Sequence, residues 1–235
     1  MLKKFLPALA LGLGVTLAHA DEDSVRKAVE SRLNTKVDHI VKTSYLDLYE
    51  LFVDGQIIYT DEKQTVFFIG NLVDAKTMQS ITEERLNKLT AIRFTDLPLE
   101  RAIKQVRGDG KRVLVTFEDP NCGYCKRLAK DLLRADNVTV YTFLLPILGD
   151  DSRKRARQLW CSANRAKAWN EWMAENIPPT AGENCDTSAV TKNVELGKKL
   201  GITGTPTLFF ADGERVPGAM PLANIEQKMN QKLVR

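Results

Sequence analysis

The sequence predicts an α+β chain in two units: a small β-rich N-terminal domain, then a connecting helix, then a larger C-terminal domain of strands and helices. Three observations predict it. β-Branched and aromatic runs broken by turn residues crowd residues 37 to 73. A capped helical pattern follows at "SITEERLNKLTAIRF". Beyond it, the apolar run "KRVLVTFED" leads into the amphipathic pattern "CGYCKRLAKDLLRA" and then the strand signal "VTVYTFLL", a spacing that suits a right-handed parallel crossover. A chain of 235 residues, 43% hydrophobic and 27% charged, has the size and balance of an ordinary globular protein of one large or two modest domains.

The first 20 residues stand apart. A basic start, "MLKK", precedes 13 apolar residues and the small-any-small triplet Ala18, His19, Ala20, the pattern of a cleaved secretory signal. The apolar run is shorter than the ~20 residues that span a bilayer, which disfavours the alternative of a membrane anchor. Residues 1–20 are therefore read as a signal peptide and the mature chain as starting at Asp21. Losing Lys3 and Lys4 takes the basic count from 34 to 32 against 30 acids, a net +2. Such balance gives no electrostatic case for nucleic acid. Export matters more, because thiols outside the cytoplasm are oxidised unless kept reduced on purpose.

The elements follow in order. In "DSVRKAVESRL", Val25, Ala28, Val29, Arg32 and Leu33 fall at helical spacing behind a capping Asp23 or Ser24. "YLDLYELFV", a tight turn at Asp54 and Gly55, "QIIYT", a turn at "DEK" and "TVFFIG" read as antiparallel strands. The last is apolar on both faces, so as an edge it needs a cover, either a second copy or another part of the chain. Ser80 and Glu83 form a capping box ahead of Leu86, Leu89 and Ile92. Pro98 suits the first turn of another helix running through Val106 to the break at "GDG". "KRVLVTFED" is central in its sheet, and Leu128, Leu132 and Leu133 form the buried stripe of the next helix. Residues 151–176 are helical, with Trp160, Trp169 and Trp172 in packing roles; Arg153, Lys154, Arg155 and Arg157 read as a solvated face, an interaction patch being the alternative. A further helix, the "GTPTLFFADGERVPG" hairpin and a final helix over 221–233 complete the chain.

Four cysteines carry the chemistry. Cys122 and Cys125 do not read as zinc ligands, since the other two cysteines have 23 residues between them and the mature chain has one distant histidine, His39. Lys126 stands where a haem site needs histidine. A staple across so short a loop removes little chain entropy. At the head of a helix, however, free amides and the macrodipole stabilise a thiolate. Cys122 is thus predicted to be a thiolate reachable from solvent, with Lys126 and Arg127 adding positive charge, and Cys125 to resolve the mixed disulfides it forms. Cys161 and Cys185 have no such context; bonded, they close a loop worth about 3 to 4 kcal/mol and read as a structural disulfide, a second redox pair being the alternative. Pro206 in "GTPT" opens a strand, and its residues alone leave a cis or a trans peptide open.

With "FEDPNCGYCKRL", the distant pair "LWCSAN" and "ENC", and "LGITGTPTLFFADGERVPG" in order, the chain resembles the DsbC family of periplasmic thiol:disulfide isomerases over essentially its whole mature length. The most specific elements are the Gly123–Tyr124 dipeptide and the segment ending in Pro206. The resemblance implies a V-shaped homodimer: a cystatin-like N-terminal dimerisation domain over residues 21–80, a linker helix over 81–97 and a thioredoxin-like catalytic domain with a helical insertion over 98–235. It implies that Cys122 and Cys125 are catalytic and that Gly123, Tyr124, Thr205 and a cis Pro206 support them. Cys161 and Cys185 match the family's structural bridge, and Gly70 its dimerising strand. The implied activity is rearrangement of wrong disulfides in the periplasm, with no cofactor or metal. The implied partners are misoxidised or unfolded exported proteins and an inner-membrane thiol reductase. A DsbG-like reductase, a dithiol oxidase and a dimeric holdase are the alternatives. In thioredoxin a buried carboxylate six positions before the first cysteine moves a proton; here Thr116 holds that place. Glu118 and Asp119, at the strand's end, read as solvated loop acids, with proton transfer as the alternative.

Overall fold

The structure is a computed structural model describing residues 22–232; the signal peptide read at residues 1–20 lies outside them. The chain forms two compact units, the first ending at Gly70 and the second starting at Asn71.

The first unit is a helix, α1 (Glu22–Leu33), on an antiparallel sheet of β1 (Val37–Lys42), β2 (Tyr49–Val53), β3 (Gln56–Thr60) and β4 (Phe67–Ile69), ordered β1-β2-β3-β4. Glu22 and Asp23 in the first turn of α1 and Arg32 in the last complement its dipole. Val25 and Val29, one turn apart, are buried against Val37, Ile40, Leu51 and Ile58. Leu33 is 41% exposed, so the apolar stripe is narrower than the spacing predicts. Asp54 (φ 48°) and Gly55 (φ 80°) join β2 to β3 through the two positive-φ positions of a tight hairpin turn. β4 lies at the sheet's edge, with Phe68 and Ile69 exposed.

The second unit opens on α2 (Ile81–Leu89), whose Ser80 cap accepts from the Glu83 amide at 3.1 Å. A five-stranded sheet follows: β5 (Ile103–Arg107), β6 (Arg112–Glu118), β7 (Val138–Leu144), β8 (Thr207–Phe210) and β9 (Arg215–Pro217), ordered β5-β7-β6-β8-β9. β6 and β7 are parallel, joined through α3 (Gly123–Leu132), and the other pairs are antiparallel. β6 is central, as its two-faced apolarity requires. Leu128 and Leu132 of α3 pack with Ile225 and Met229 of α7 (Leu222–Lys232) in one core. Phe117, Phe143 and Phe209 form another, with Val194 and Leu196 of α6 (Ser188–Lys199) packed against it. Between β7 and α6 the chain inserts α4 (Asp150–Cys161), α5 (Arg165–Asn170) and a π-helical turn, Glu171–Glu175. Asn164 caps α5, so the helical stretch read over 151–176 is broken at 162–164.

Two expectations are corrected. The helix expected from Pro98 through Val106 shrinks to one short turn, Leu99–Arg101, and Ile103–Arg107 is strand β5. β5 fills the otherwise open edge of β7, with five residues in register, and those ladder bonds outweigh local helix preference. Leu133 is exposed as the C-cap of α3, and Ala129 takes its place in the buried stripe.

Candidate active site

The site forms where β6 ends and α3 begins. Asp119, fully buried, organises it: its carboxylate accepts from the amides of Asn121 (2.8 Å), Ile147 (2.8 Å) and Leu148 (2.9 Å) and from Ser152 Oγ (2.7 Å). One side chain thus ties the cysteine loop to the loop after β7 and to the first turn of α4. The Cys122 amide donates to the Asp119 carbonyl at 3.1 Å, which aims the chain into the helix.

Cys122 is the N-cap of α3, and its Sγ accepts from the Cys125 amide at 3.4 Å. Both cysteines are free thiols. Cys122 keeps 6% exposure and Cys125 none, so a disulfide partner reaches only the first, and through a narrower window than the sequence predicts. The hydrogen bond from the Cys125 thiol, first, then those from Thr205 and the Cys125 and Tyr124 amides, outweigh desolvation and hold the Cys122 thiol down to about 5. Burial, together with that thiol–thiol hydrogen bond, pushes Cys125 far up. Two cysteines three positions apart thereby differ in ionisation, one drawn toward the thiolate and the other held as the thiol.

Lys126 and Arg127 are not among the groups that draw the Cys122 thiol down; each cation is held over an aromatic ring. Lys126 Nζ sits 4.0 Å over the Trp172 ring and donates to Asn176 Oδ1 at 2.7 Å; the Arg127 guanidinium lies 4.4 Å over Tyr124. Arg155 also lies over Trp172, at 4.4 Å, and Trp172 Nε1 donates to the Pro120 carbonyl at 2.7 Å. The tryptophan on the π-helical turn therefore braces the loop before Cys122. Of the other basic residues of α4, Arg153 pairs with Asp150 and Arg157 with Glu183.

Across from the cysteines, the Thr205–Pro206 peptide is cis, and the Thr205 carbonyl lies 3.3 Å from Cys122 Sγ. That contact suits the protonated thiol and competes with the amides. Gly123 is the first residue of α3, and a Cβ there would meet open space, so room does not demand a glycine. Tyr124 is 59% exposed beside it. Cys161 and Cys185 are bonded, S–S 2.06 Å, tying the end of α4 to the loop before α6. Gly70 belongs to the other unit, after β4, with φ 148°.

Glu118 and Asp119 are not solvated loop acids; they are 1% and 0% exposed. The signal was present in "TFED": acids that end a strand apolar on both faces stay inside the layer that covers it. Trp172 gave no such signal, because its partners are remote in sequence. Among the described residues no three His, Cys, Asp or Glu cluster to hold a metal ion.

The sequence model described as a thioredoxin-like domain matches residues 99–233, and that of the disulfide bond isomerase protein N-terminal domain matches residues 16–83. A probable thiol:disulfide interchange protein DsbC of Bordetella pertussis is 43% identical over 208 residues, 88% of this chain and 74% of its own. The chain belongs to the DsbC family. A second DsbC relative, from Salmonella typhimurium, is 25% identical over 86% of this chain and 84% of its own. The solved disulfide interchange protein of Neisseria gonorrhoeae superposes with a TM-score of 0.55 at 40% identity, covering 57% of this chain and 97% of that one. As a DsbC-type thiol:disulfide interchange protein, the chain is a thioredoxin-like oxidoreductase preceded by the family's N-terminal domain.

Proposed function

We propose that the protein is a disulfide isomerase acting on misoxidised exported proteins through Cys122 and Cys125. The opposite ionisation of the two thiols carries this reading: Cys122 drawn down to about 5, Cys125 held protonated by burial. The Cys122 thiolate attacks a wrong disulfide and forms a mixed disulfide, releasing one substrate thiolate, which takes a proton. That thiol then attacks another substrate disulfide, and the correct partner displaces Cys122 with no net oxidation. When none arrives, Cys125 attacks Cys122, the substrate leaves reduced, and a membrane thiol reductase returns the resulting Cys122–Cys125 disulfide to the dithiol. Thr205, cis Pro206, Gly123 and Tyr124 frame the approach to Cys122, and the Cys161–Cys185 bridge holds the insertion.

The rest of the reading goes with it: residues 1–20 direct export to the periplasm, 21–80 pair two copies along β4 near Gly70, 81–97 link, and 98–235 catalyse. No cofactor is needed. The exposed Tyr124, Ile147 and Leu148 beside the site also favour a second reading, a holdase that binds unfolded chains. Reactivation of a scrambled multi-disulfide protein in glutathione buffer separates the two. Cys122→Ala is expected to abolish reactivation, and Cys125→Ser to accumulate mixed disulfides with substrate. Reactivation by Cys122→Ala at the parent rate would leave only the holdase.

A further inference from the structure

Resolution of the mixed disulfide has a proton problem. Cys125 must lose a proton to attack Cys122, yet it has no exposed surface, so water cannot take that proton directly. The sheet beneath it carries an acid that no structural role accounts for. Glu118 ends β6, 1% exposed. Its Oε1 accepts from Thr116 Oγ1 at 2.7 Å, and Thr116 in turn meets Thr142 Oγ1 at 3.1 Å. Its Oε2 is buried with no hydrogen-bond partner, an arrangement that costs free energy unless something visits that atom. A narrow pocket of about 10 Å³, room for one water, is lined by Glu118 together with Thr142, Ala129 and Trp169. Its wall also includes the half-buried Gln105, Arg107 and Asn170, which bring it to the surface. Ala129 is one turn beyond Cys125 on α3, so the pocket lies along the face of that helix that carries the buried thiol.

We propose that Glu118 is the proton acceptor for Cys125: as Cys125 attacks Cys122, its thiol proton passes to Glu118 Oε2, directly or across one water, and leaves through the pocket beside Arg107 and Asn170. This rests on Cys125 being the resolving thiol. In the step, the Cys125 S–H bond breaks and the Cys122–Cys125 bond forms. The bond from Cys122 to substrate breaks, and the substrate sulfur leaves with the electron pair and takes a proton from solvent. The pair is oxidised and the substrate reduced; Glu118 ends by giving its proton to solvent.

The electrostatics time the transfer. Burial, first, and the Cys122 charge raise the Glu118 carboxyl to about 8, against the Thr116 hydrogen bond that lowers it. While Cys122 is a thiolate, Glu118 is therefore neutral near pH 7. Once Cys122 is tied to substrate its charge is gone, and Glu118 shifts toward its ionised form, the form that accepts a proton, with the Thr116 hydrogen bond favouring the same form. The groups that face it are the two threonines, the two cysteines and the pocket's Gln105, Asn170 and Arg107. Arg107 is itself desolvated, with its Nε donating to the Ala135 carbonyl.

Reaction of the reduced protein with dithiobis-nitrobenzoate in a stopped-flow reads the two steps apart. Attack by Cys122 releases the first thionitrobenzoate, and attack by Cys125 on the resulting mixed disulfide releases the second. In Glu118→Gln the second phase is expected to slow about 100-fold near neutral pH and to rise in proportion to hydroxide, while the first changes little. Thr116→Val keeps the acid but removes the hydrogen bond that favours its ionised form, so the pH at which the second phase levels off is expected to move upward. An unchanged second phase in Glu118→Gln, equal slowing of both phases, or a pH profile unmoved by Thr116→Val each overturns the relay. Absence of the first phase in the parent overturns the reading of Cys122 itself, and the relay with it.

Discussion

At the scale of the residue, Cys122 and Cys125 share one helical turn and end with opposite chemistry because three positions separate a cap from a core position. Cys122 Sγ is turned to the free amides, whereas Cys125 is packed among Ala129, Leu144, Trp169 and Met173. The consequence is a pH profile. Alkylation of Cys122 by iodoacetamide is expected to be at its plateau near neutrality and to fall as pH drops through about 5, where the thiolate is protonated. Cys125 is expected to stay unmodified until the fold is unravelled. Mass spectrometry of the alkylated chain checks both, and a profile centred near the ordinary thiol value would remove the nucleophile. The same depression bears on stability. Because the folded value lies below the ordinary 9.0, ionisation stabilises the reduced protein fully above about pH 9, and that gain is lost as pH falls through about 5.

At the scale of the element, local signals decide where they act alone and yield where a partner is waiting. Ser80 and Glu83 start α2 as their spacing predicts, and Asp54–Gly55 turns its hairpin, since both depend only on near neighbours. Ile103–Arg107 follows a helix-start signal at Pro98 and is nonetheless a strand, because β7 offers it an edge that Ile103 and Val106 suit. The turn between β8 and β9 is closed from outside as well. The Ile92 amide donates to the Gly213 carbonyl at 3.2 Å, φ at Gly213 is 87°, and a Cβ there would lie 1.8 Å from the Ile92 carbonyl oxygen. Gly213→Ala is therefore expected to cost about 1–2 kcal/mol from the backbone conformation alone, and more from the clash. Urea unfolding measures it, and an unchanged midpoint would show that the segment after α2 is not held there.

At the scale of the whole molecule, the exposed edge at β4 is the feature that a lone unit leaves unexplained. Phe68 is 49% and Ile69 73% exposed on a strand that, among the described residues, has no sheet neighbour on its outer side. In the proposed homodimer a second copy covers it. Ile69→Lys is then expected to turn a dimer into a monomer on sizing and to lose isomerase activity while simple reduction of a small disulfide persists. A parent that already runs as a monomer would defeat the proposal.

The amino-acid order alone determined the two-unit α+β plan, the strand-to-helix step that carries Cys122 and the separation of the free pair Cys122 and Cys125 from the bonded Cys161 and Cys185. Each of these is written in periodicity, caps and spacing over a dozen residues or so. Only the tertiary structure decided that 103–107 is a strand, that Asp119 ties two loops to the start of α4, that Trp172 gathers Lys126 and Arg155, and that Glu118 is buried with one oxygen unpartnered. Those outcomes depend on what the rest of the chain brings alongside. Burial and long-range hydrogen bonds set the ionisation of a side chain and the partner of a strand edge, and neither is a property of the neighbouring letters.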